Sequence, residues 1–444
     1  MNSDISIVSG PAATRVPEAT LRRTVLTSMI GQALEWYDFF LYGTAAALVF
    51  GDLFFPAGTD PLVGTILSFG GFLIGFMVRP IGGIVCGHLG DRVGRKNVLI
   101  LTLLMMGSAT FLMGLLPTYH SIGIWAPVLL LALRVVQGLA AGGEWSGSIL
   151  IISENVPASR RGFLSAWSPA GATTGFVMSS AVFLLAQMLP HDAFIRWGWR
   201  LPFLASIVII ALGFYVRKQI PESAEFVKVK RATVRVRTPI VEVLRRHPKE
   251  LLMVMGLRFG EGGASYIFFA FSLAYGRFIG LSSNLLLGAL TVSMVLMIPF
   301  SLWFGHMSDR IGRRAVYRWG ALGVIAVAFP FFLMLQSGQA WVIVLAYVLS
   351  TSVALGALEG VQPAYMSELF NADVRYSGLG LGREVASVLG AGLSPMLATA
   401  LLAKYRSPWP VAIYLALLGL SIVVALRFTP ETLPPEQRAK ERSA

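Results

Sequence analysis

Charged residues are scarce in this chain of 444 residues: they make up only 13%, whereas 55% of the chain is hydrophobic. Soluble domains average about a quarter charged. The single cysteine, Cys86, excludes an internal disulfide. The five histidines are scattered, and the sequence has no Walker-type phosphate loop, metal-ligand cluster or nucleophile elbow. We therefore expect no catalytic residues, metal or cofactor, and any uphill work must draw on a gradient rather than on ATP.

Long apolar runs recur along the whole chain. Each has about 20 residues, the length with which a helix crosses hydrocarbon, and such continuity excludes the alternating strands of a membrane barrel. The sequence therefore predicts an all-α membrane protein with twelve transmembrane helices, at 26–50, 62–86, 98–116, 125–150, 163–189, 199–216, 251–276, 284–304, 315–335, 341–365, 377–403 and 408–428.

The net charge of +13 indicates topology rather than a nucleic-acid partner. Of the 36 Lys and Arg, 27 lie on the two tails, the central connector and the other loops after even-numbered spans, and five lie on the opposite loops. This positive-inside bias predicts a multi-pass protein of the inner membrane with both termini in the cytoplasm. Residues 1–23 are polar and lack the form of a signal peptide, so we expect no cleaved leader.

The two parts of the chain repeat each other. GHLGDRVGRK begins at Gly87 and GHMSDRIGRR at Gly305, an offset of 218 residues, and Pro221-Glu222-Ser223 matches Pro430-Glu431-Thr432 in the same order. Membrane carriers built on such repeats bind their solute between the halves. The predicted organisation is a tail (1–23), a six-helix half (24–216), a connector (217–249), a second six-helix half (250–429) and a tail (430–444).

The repeated motif G-x-x-x-D-R-x-G-R-[KR] resembles the signature of the major facilitator superfamily. ALEWYDFFLYG, VRPIGG, RVVQGLAAGGEW, WGWRLPF and VASVLGAGLSP are similar to stretches of its metabolite:proton symporters, which include shikimate, 2-oxoglutarate, citrate and proline/betaine porters. The overall pattern is most similar to shikimate-type members. The resemblance implies two pseudo-symmetric six-helix halves, with spans one, four, seven and ten around a central cavity.

Ionisable side chains inside the predicted spans are candidates for function, since each costs about 2.5–3.5 kcal/mol to insert. Glu35 and Asp38 are three residues apart on one helix face, where desolvation and mutual repulsion favour a bound proton. We expect them, together with Glu261, to couple transport to protons, with Asp38 favoured over Glu35. Alternatively, they pair with an arginine of another helix and brace the bundle.

Arginines inside the spans predict an anionic substrate, because guanidinium groups match carboxylates in bidentate geometry. Arg134 either binds substrate or forms a permanent salt bridge to Glu35 or Asp38. Arg258 either neutralises Glu261 on its own helix or lines the cavity, and Gly262-Gly263 predict a bend there. The full set of expected substrate-binding residues is Arg134, Arg258, Tyr37, Arg383 and Glu384.

The last two of these, Arg383 and Glu384, are consecutive and point about 100° apart, so we do not expect them to face one partner. This pair departs from the shikimate-type pattern, in which uncharged polar residues are usual here. Tyr37 is a candidate for stacking on a ring, although simple packing explains it equally.

A third group is expected to act in gating. By resemblance, the repeated motif holds the cytoplasmic side closed through charged contacts, although its basic residues could be topology signals only. Arg79 and Glu144 lie in the cytoplasmic third of their spans, where an arginine can snorkel to the interface. The gating set is Asp91, Arg92, Arg95, Asp309, Arg310, Arg313, Arg79 and Glu144.

The sequence therefore predicts a monomeric, proton-coupled symporter. It would carry a small organic acid, shikimate-like or 2-oxoglutarate-like, into the cytoplasm by alternating access. One alternative is a proton symporter of zwitterionic osmolytes such as proline or betaine, which the short C-terminal tail without heptads disfavours. An uncoupled facilitator and a transport-dead receptor are the others.

Overall fold

The structure, a computed structural model, describes residues 18–93, 95–142, 158–219, 239–371 and 374–433, with Ile149, Ile152 and Val156. All regular structure in these ranges is helical, and the prediction of twelve transmembrane helices is confirmed. They are α1 (Glu18–Leu48), α2 (Pro61–Val93), α3 (Arg95–Leu115), α4 (Trp125–Ala141), α5 (Arg161–Gln187), α6 (Leu201–Leu204 and Ser206–Gln219), α7 (Pro248–Tyr266, Ile267–Phe271 and Ser272–Phe278), α8 (Ser283–Ile311), α9 (Arg313–Gln336), α10 (Ala340–Ser367), α11 (Arg375–Tyr405) and α12 (Trp409–Phe428).

Apolar composition explains most of these helices directly. Eight of them have the length and hydropathy of membrane spans on composition alone. In the described residues α3 and α4 contribute shorter apolar helices, Ile100–Leu115 and Trp125–Ala141. Helices α1 and α7 fall below that hydropathy, and they are the two that carry the expected proton-coupling carboxylates.

The helices pack as two groups of six that meet along two seams. In the first group α1 packs on α5 and α2 on α4; in the second, α12 packs on both α7 and α9. The seams between the groups are α5 against α8 and α2 against α11. The α2–α4 approach is close enough that a Cβ added to Gly82 would lie 2.1 Å from the Leu139 carbonyl oxygen.

Three of the helices of the second group that border the centre contain a π-helical segment. These segments are Ile267–Phe271 in α7, Val348–Leu355 in α10 and Val388–Gly392 in α11. Such segments are rare and concentrate at functional sites. Helix α7 continues without a break through Gly262 and Gly263 and widens only at Ile267; the bend expected at these glycines stays a prediction. A Cβ at Gly263 would lie 2.8 Å from Leu418, so the glycine at this position allows α12 to pack closely against α7.

The repeated motif is more helical than its glycines suggest. Helix α2 continues to Val93 and α8 to Ile311, well past the predicted ends of these spans. The tight turn after α8 is made by the last glycine of the motif, Gly312, whose φ is 110°. The proposed boundaries of the tails and connector stay predictions, since residues 1–17, 220–238 and 434–444 lie outside the described ranges.

Candidate substrate and proton site

A small cavity lies between the two groups of helices. Its volume is about 30 Å³, which admits a water molecule rather than a metabolite. The first group contributes α1 and α5 to its wall, and the second contributes α7, α8, α10 and α11. The lining side chains are mostly aromatic or apolar, with three charged groups: Trp36, Phe40, Pro169, Ala172, Thr173, Phe176, Arg258, Ser265, Tyr266, Phe269, Met294, Met297, Glu359 and Arg383.

Arg258 and Glu261 form a buried ion pair on α7, as their spacing predicted. Arg258 also donates a hydrogen bond to the Ser387 hydroxyl of α11 at 3.0 Å. Glu261 accepts further hydrogen bonds from Ser265 at 3.0 Å and from the Gln362 amide of α10 at 2.8 Å. Because Arg258 lines the cavity as well, the two alternatives raised for it, self-neutralisation and cavity lining, hold together.

A second series of charged side chains connects the two halves. Arg383 lines the cavity and donates to the neighbouring Glu384 carboxylate at 2.9 Å. The other oxygen of Glu384 lies 3.9 Å from the Arg79 guanidinium of α2. Consecutive residues 383 and 384 thus bind each other, an arrangement that their angular separation did not predict.

Arg79 is held inside the bundle rather than at the interface. Its guanidinium carbon lies 4.2 Å from the ring centre of Phe39 and 4.6 Å from that of Phe76. The side chain is only 3% exposed. The snorkelling considered for Arg79 is therefore wrong: aromatic faces and Glu384 satisfy the cation within the protein.

Arg134 is fully buried within the first group and is not part of the cavity wall. It donates to the Gln137 amide oxygen at 2.6 Å and to the Gly71 carbonyl at 3.3 Å, and the Tyr42 ring centre is 3.9 Å from its guanidinium carbon. Within the described ranges it pairs with no carboxylate, so the permanent salt bridge to Glu35 or Asp38 is not formed.

The two acids of α1 have different surroundings. Glu35 accepts from the Gln32 amide at 3.3 Å. Asp38 is 1% exposed, lies close to the Thr110 hydroxyl, and has one carboxylate oxygen, Oδ1, without a hydrogen-bond partner. In the described part of the chain no cation pairs with Asp38. Tyr37 does not reach the cavity, because its hydroxyl donates to the Pro202 carbonyl at 2.8 Å, which turns the ring toward α6.

Asp309 closes one end of the interface, which we call the Asp309 end. Its carboxylate accepts from the backbone N–H groups of Gly162 at 2.8 Å and Phe163 at 2.9 Å, the first turn of α5 in the other half. It also pairs with Arg313 at 2.7 Å. Helix N-termini present N–H groups that lack intrahelical partners, so a carboxylate is well placed there. Arg310 is exposed.

Two other acids complete the Asp309 end. Glu368 lies 3.2 Å from Arg161 of the first half and 3.5 Å from Arg313. Glu431, from the repeated Pro-Glu-Thr motif, accepts from the N–H groups of Arg313 at 2.9 Å and Arg314 at 3.1 Å. The capping acid of α9 is therefore Glu431, whereas the motif aspartate caps a helix of the other half.

Charged contacts also join the halves at the opposite end, which we call the Arg277 end. Arg277 of α7 donates to the Leu48 carbonyl at 2.8 Å and pairs with Asp52. Arg406 lies 3.3 Å from Asp60. The backbone N–H groups of Leu62 and Val63, followed by the Arg406 guanidinium, hold the pKa of Asp60 below its usual value. Charged side chains therefore join the two halves at both ends of the interface.

The cavity wall contains residues that sequence reasoning had not assigned to the site. Glu359, Phe40, Phe176 and Phe269 line the cavity and are not among the residues predicted for the site from the sequence. An aromatic residue gives no sequence signal that separates a binding wall from ordinary packing. The side chains of Asp91, Arg92, Arg95 and Glu144 lie outside the described part of the structure, and their gating roles stay predictions.

Comparisons with known proteins agree with this architecture. The model of the Major Facilitator Superfamily matches residues 28–383. A shikimate transporter of Escherichia coli is 42% identical over 91% of this chain and 94% of its own length. A proline/betaine transporter of Escherichia coli is 32% identical over 94% of this chain and 85% of its own length.

The fold also matches a solved structure. The xylose transporter XylE of Escherichia coli, in a partially occluded inward-open conformation, superposes with a TM-score of 0.73 at 17% identity. That match covers 94% of this chain and 99% of XylE, and at such identity it shows the fold alone. On its sequence match and its twelve-helix architecture, this chain belongs to the major facilitator superfamily and is a membrane transporter, not an enzyme.

Proposed function

We propose that this protein is a monomeric proton symporter of the inner membrane that takes a small organic acid, preferably a ring-bearing one, into the cytoplasm by alternating access. The carrying observation is the wall of the central cavity. Two cations, Arg258 and Arg383, line the same cavity as the aromatic side chains of Trp36, Phe40 and Tyr266. A carboxylate matches the cations and a flat ring matches the aromatic faces.

The proposal draws further support from the carboxyl groups of the bundle. Asp38 is buried without a cation among the described residues, which favours its neutral, protonated form in a site this dry. Glu261 is held by Arg258, Ser265 and Gln362, all of them donors, and is a counter-ion that stays charged. We therefore place the coupling proton at Asp38 before Glu35 and Glu261.

The aromatic wall also supports a second candidate, a proton symporter of a zwitterion such as betaine. Aromatic faces bind quaternary ammonium groups through cation–π attraction. The ring centres of Trp36 and Phe40 lie 5.2 Å apart, and those of Phe40 and Phe269 lie 5.9 Å apart. Several aromatic rings therefore border one small space. The proline/betaine transporters that resemble this chain make the same candidate reasonable.

Uptake into proteoliposomes separates these candidates. The solutes are shikimate, 2-oxoglutarate, citrate, benzoate and betaine, each with an imposed inward proton gradient and again with a protonophore. We expect gradient-dependent accumulation of shikimate or benzoate that the protonophore abolishes. Accumulation of betaine alone would select the zwitterion carrier, and equilibration that ignores the gradient would indicate an uncoupled facilitator.

A further inference from the structure

Glu359 is the one carboxylate among the side chains that the structure places on the cavity wall. It stands on α10 and interacts electrostatically with Arg258 of α7 and Arg383 of α11, the two cations of the same wall. Glu261 and Glu384 are each 4% exposed or less and lie behind these arginines. A solute that enters the cavity therefore meets the arginines together with Glu359.

The surroundings of Glu359 contain one acid and two cations. Its carboxyl group is within hydrogen-bonding range of Glu261, which is already held by three donors. Two carboxylates at this range repel each other strongly when both are ionised, and a proton between them relieves the repulsion. The other titratable groups that face Glu359 are Arg258, Arg383 and the phenols of Tyr266 and Tyr317.

Among the described residues, one linked network of charged side chains borders the cavity: the cations Arg79, Arg258 and Arg383 and the carboxylates Glu261, Glu359 and Glu384. This network is neutral when Glu359 is ionised. Protonation of Glu359 leaves one positive charge in excess, which a monoanion would compensate. Uncompensated charge is expensive among buried side chains, so this network favours binding of a proton and one carboxylate together, or of neither.

We propose that Glu359 is the group whose protonation allows the substrate to bind. When Glu359 is ionised, it competes with the substrate carboxylate for Arg258 and Arg383. When Glu359 is protonated, both arginines are available to the substrate. The inference rests on the proposed function and deepens it. It assigns one proton to each monocarboxylate bound at this wall, separately from any proton carried on Asp38. It also orders the steps, because the proton reaches Glu359 before or with the acid.

Calorimetry of shikimate binding to the purified protein tests this assignment. Titrations in buffers of different ionisation enthalpy count the protons taken up on binding, over the pH range in which the protein stays folded. For the wild type we expect up to one proton, and an affinity that falls about tenfold per pH unit once Glu359 is ionised. For Glu359→Gln we expect no proton uptake and a pH-independent affinity at or above the wild-type maximum.

Two further variants keep the result interpretable. Glu250→Gln removes a carboxylate near the start of α7, outside the cavity wall, and should bind as the wild type does. Glu359→Asp keeps a titratable group and should keep the proton uptake, so it covers the case in which Glu359→Gln does not fold.

Each contrary outcome identifies the part that fails. Wild-type proton uptake in a folded Glu359→Gln variant would overturn the role of Glu359 and leave proton coupling intact. A folded Glu359→Gln variant that binds no acid would also overturn it, since the carboxyl would then be required for binding itself. Binding without proton uptake in the wild type at every pH would count against proton coupling at this wall altogether. Loss of proton uptake in Glu359→Asp would show that a titratable carboxyl at 359 is insufficient and would contradict the assignment.

Discussion

Replacing Asp309 with asparagine should open the end of the interface that this carboxylate closes. Asp309 is 3% exposed at its side chain and accepts two backbone N–H groups of α5 across the interface. A hydrogen bond to a charged group contributes about 1.5–3 kcal/mol. Asparagine keeps one neutral acceptor oxygen, so the closed form should lose at least about 2 kcal/mol, or roughly 30-fold in the closed-to-open ratio.

Spin labels measure this shift. With Cys86→Ser as background, one label pair at the exposed positions Ser159 and Arg310 spans the Asp309 end. The variant should add a longer distance to the distribution measured in detergent and in lipid. A closed-state population unchanged within about twofold, in a folded variant, would refute the account of this end, because ~0.4 kcal/mol is far below the loss expected.

The opposite end offers a matched control. Asp52→Asn removes the same kind of charge, but Asp52 and Arg277 are 42% and 38% exposed at their side chains. Exposed ion pairs contribute about 0.2–1 kcal/mol, so the change should stay below about fivefold and should favour opening at the Arg277 end. A larger effect than that of Asp309→Asn would contradict the comparison of the two ends.

Three further predictions follow from the interior of the bundle. Asp38→Asn should abolish gradient-driven accumulation in proteoliposomes yet spare exchange, because a carboxyl without a cation among the described residues can carry a proton that an amide cannot; retained accumulation would contradict its coupling role. Arg383→Met should weaken binding of shikimate by about tenfold or more, as expected for a lost charged hydrogen bond, but spare a neutral shikimate ester, and equal losses would count against carboxylate recognition. Gly82→Ala should destabilise the protein by about 1–3 kcal/mol through overpacking against Leu139. The control Gly70→Ala, where a new Cβ would have no atom within 4 Å, should leave the melting temperature unchanged. Equal melting temperatures for the two variants would refute the close approach of α2 and α4.

The overall fold could be predicted from sequence because its determinants are long and repeated. Continuous apolar runs specify helices in a bilayer whatever their partners, and all twelve expected spans appear in the structure. The ends were less accurate. Helix α8 continues to Ile311, since the charged motif remains helical until Gly312 takes a positive φ. No periodic pattern in the sequence predicts where this helix ends.

In the candidate site, contacts within one helix could be predicted from the sequence, whereas contacts between distant helices could not. Local spacing predicted the Arg258–Glu261 pair, because residues three apart on a helix are neighbours. Contacts between distant helices could not be predicted in this way. The guanidinium of Arg134 lies over the ring of Tyr42 on α1 rather than beside an acid, and Asp309 accepts hydrogen bonds from the first turn of α5 in the other half. The cavity role of Glu359 depends on where α7, α10 and α11 meet.

The proton flux driven by a shikimate gradient tests the central claim most directly. Proteoliposomes are prepared with no pH gradient, and shikimate is added outside while the pH of the lumen is followed with a trapped dye. Because coupling between two ligands is reciprocal, inward flow of the acid down its own gradient should carry protons inward and acidify the lumen, and Asp38→Asn should abolish the acidification. Shikimate entry with no change in lumenal pH would contradict proton symport.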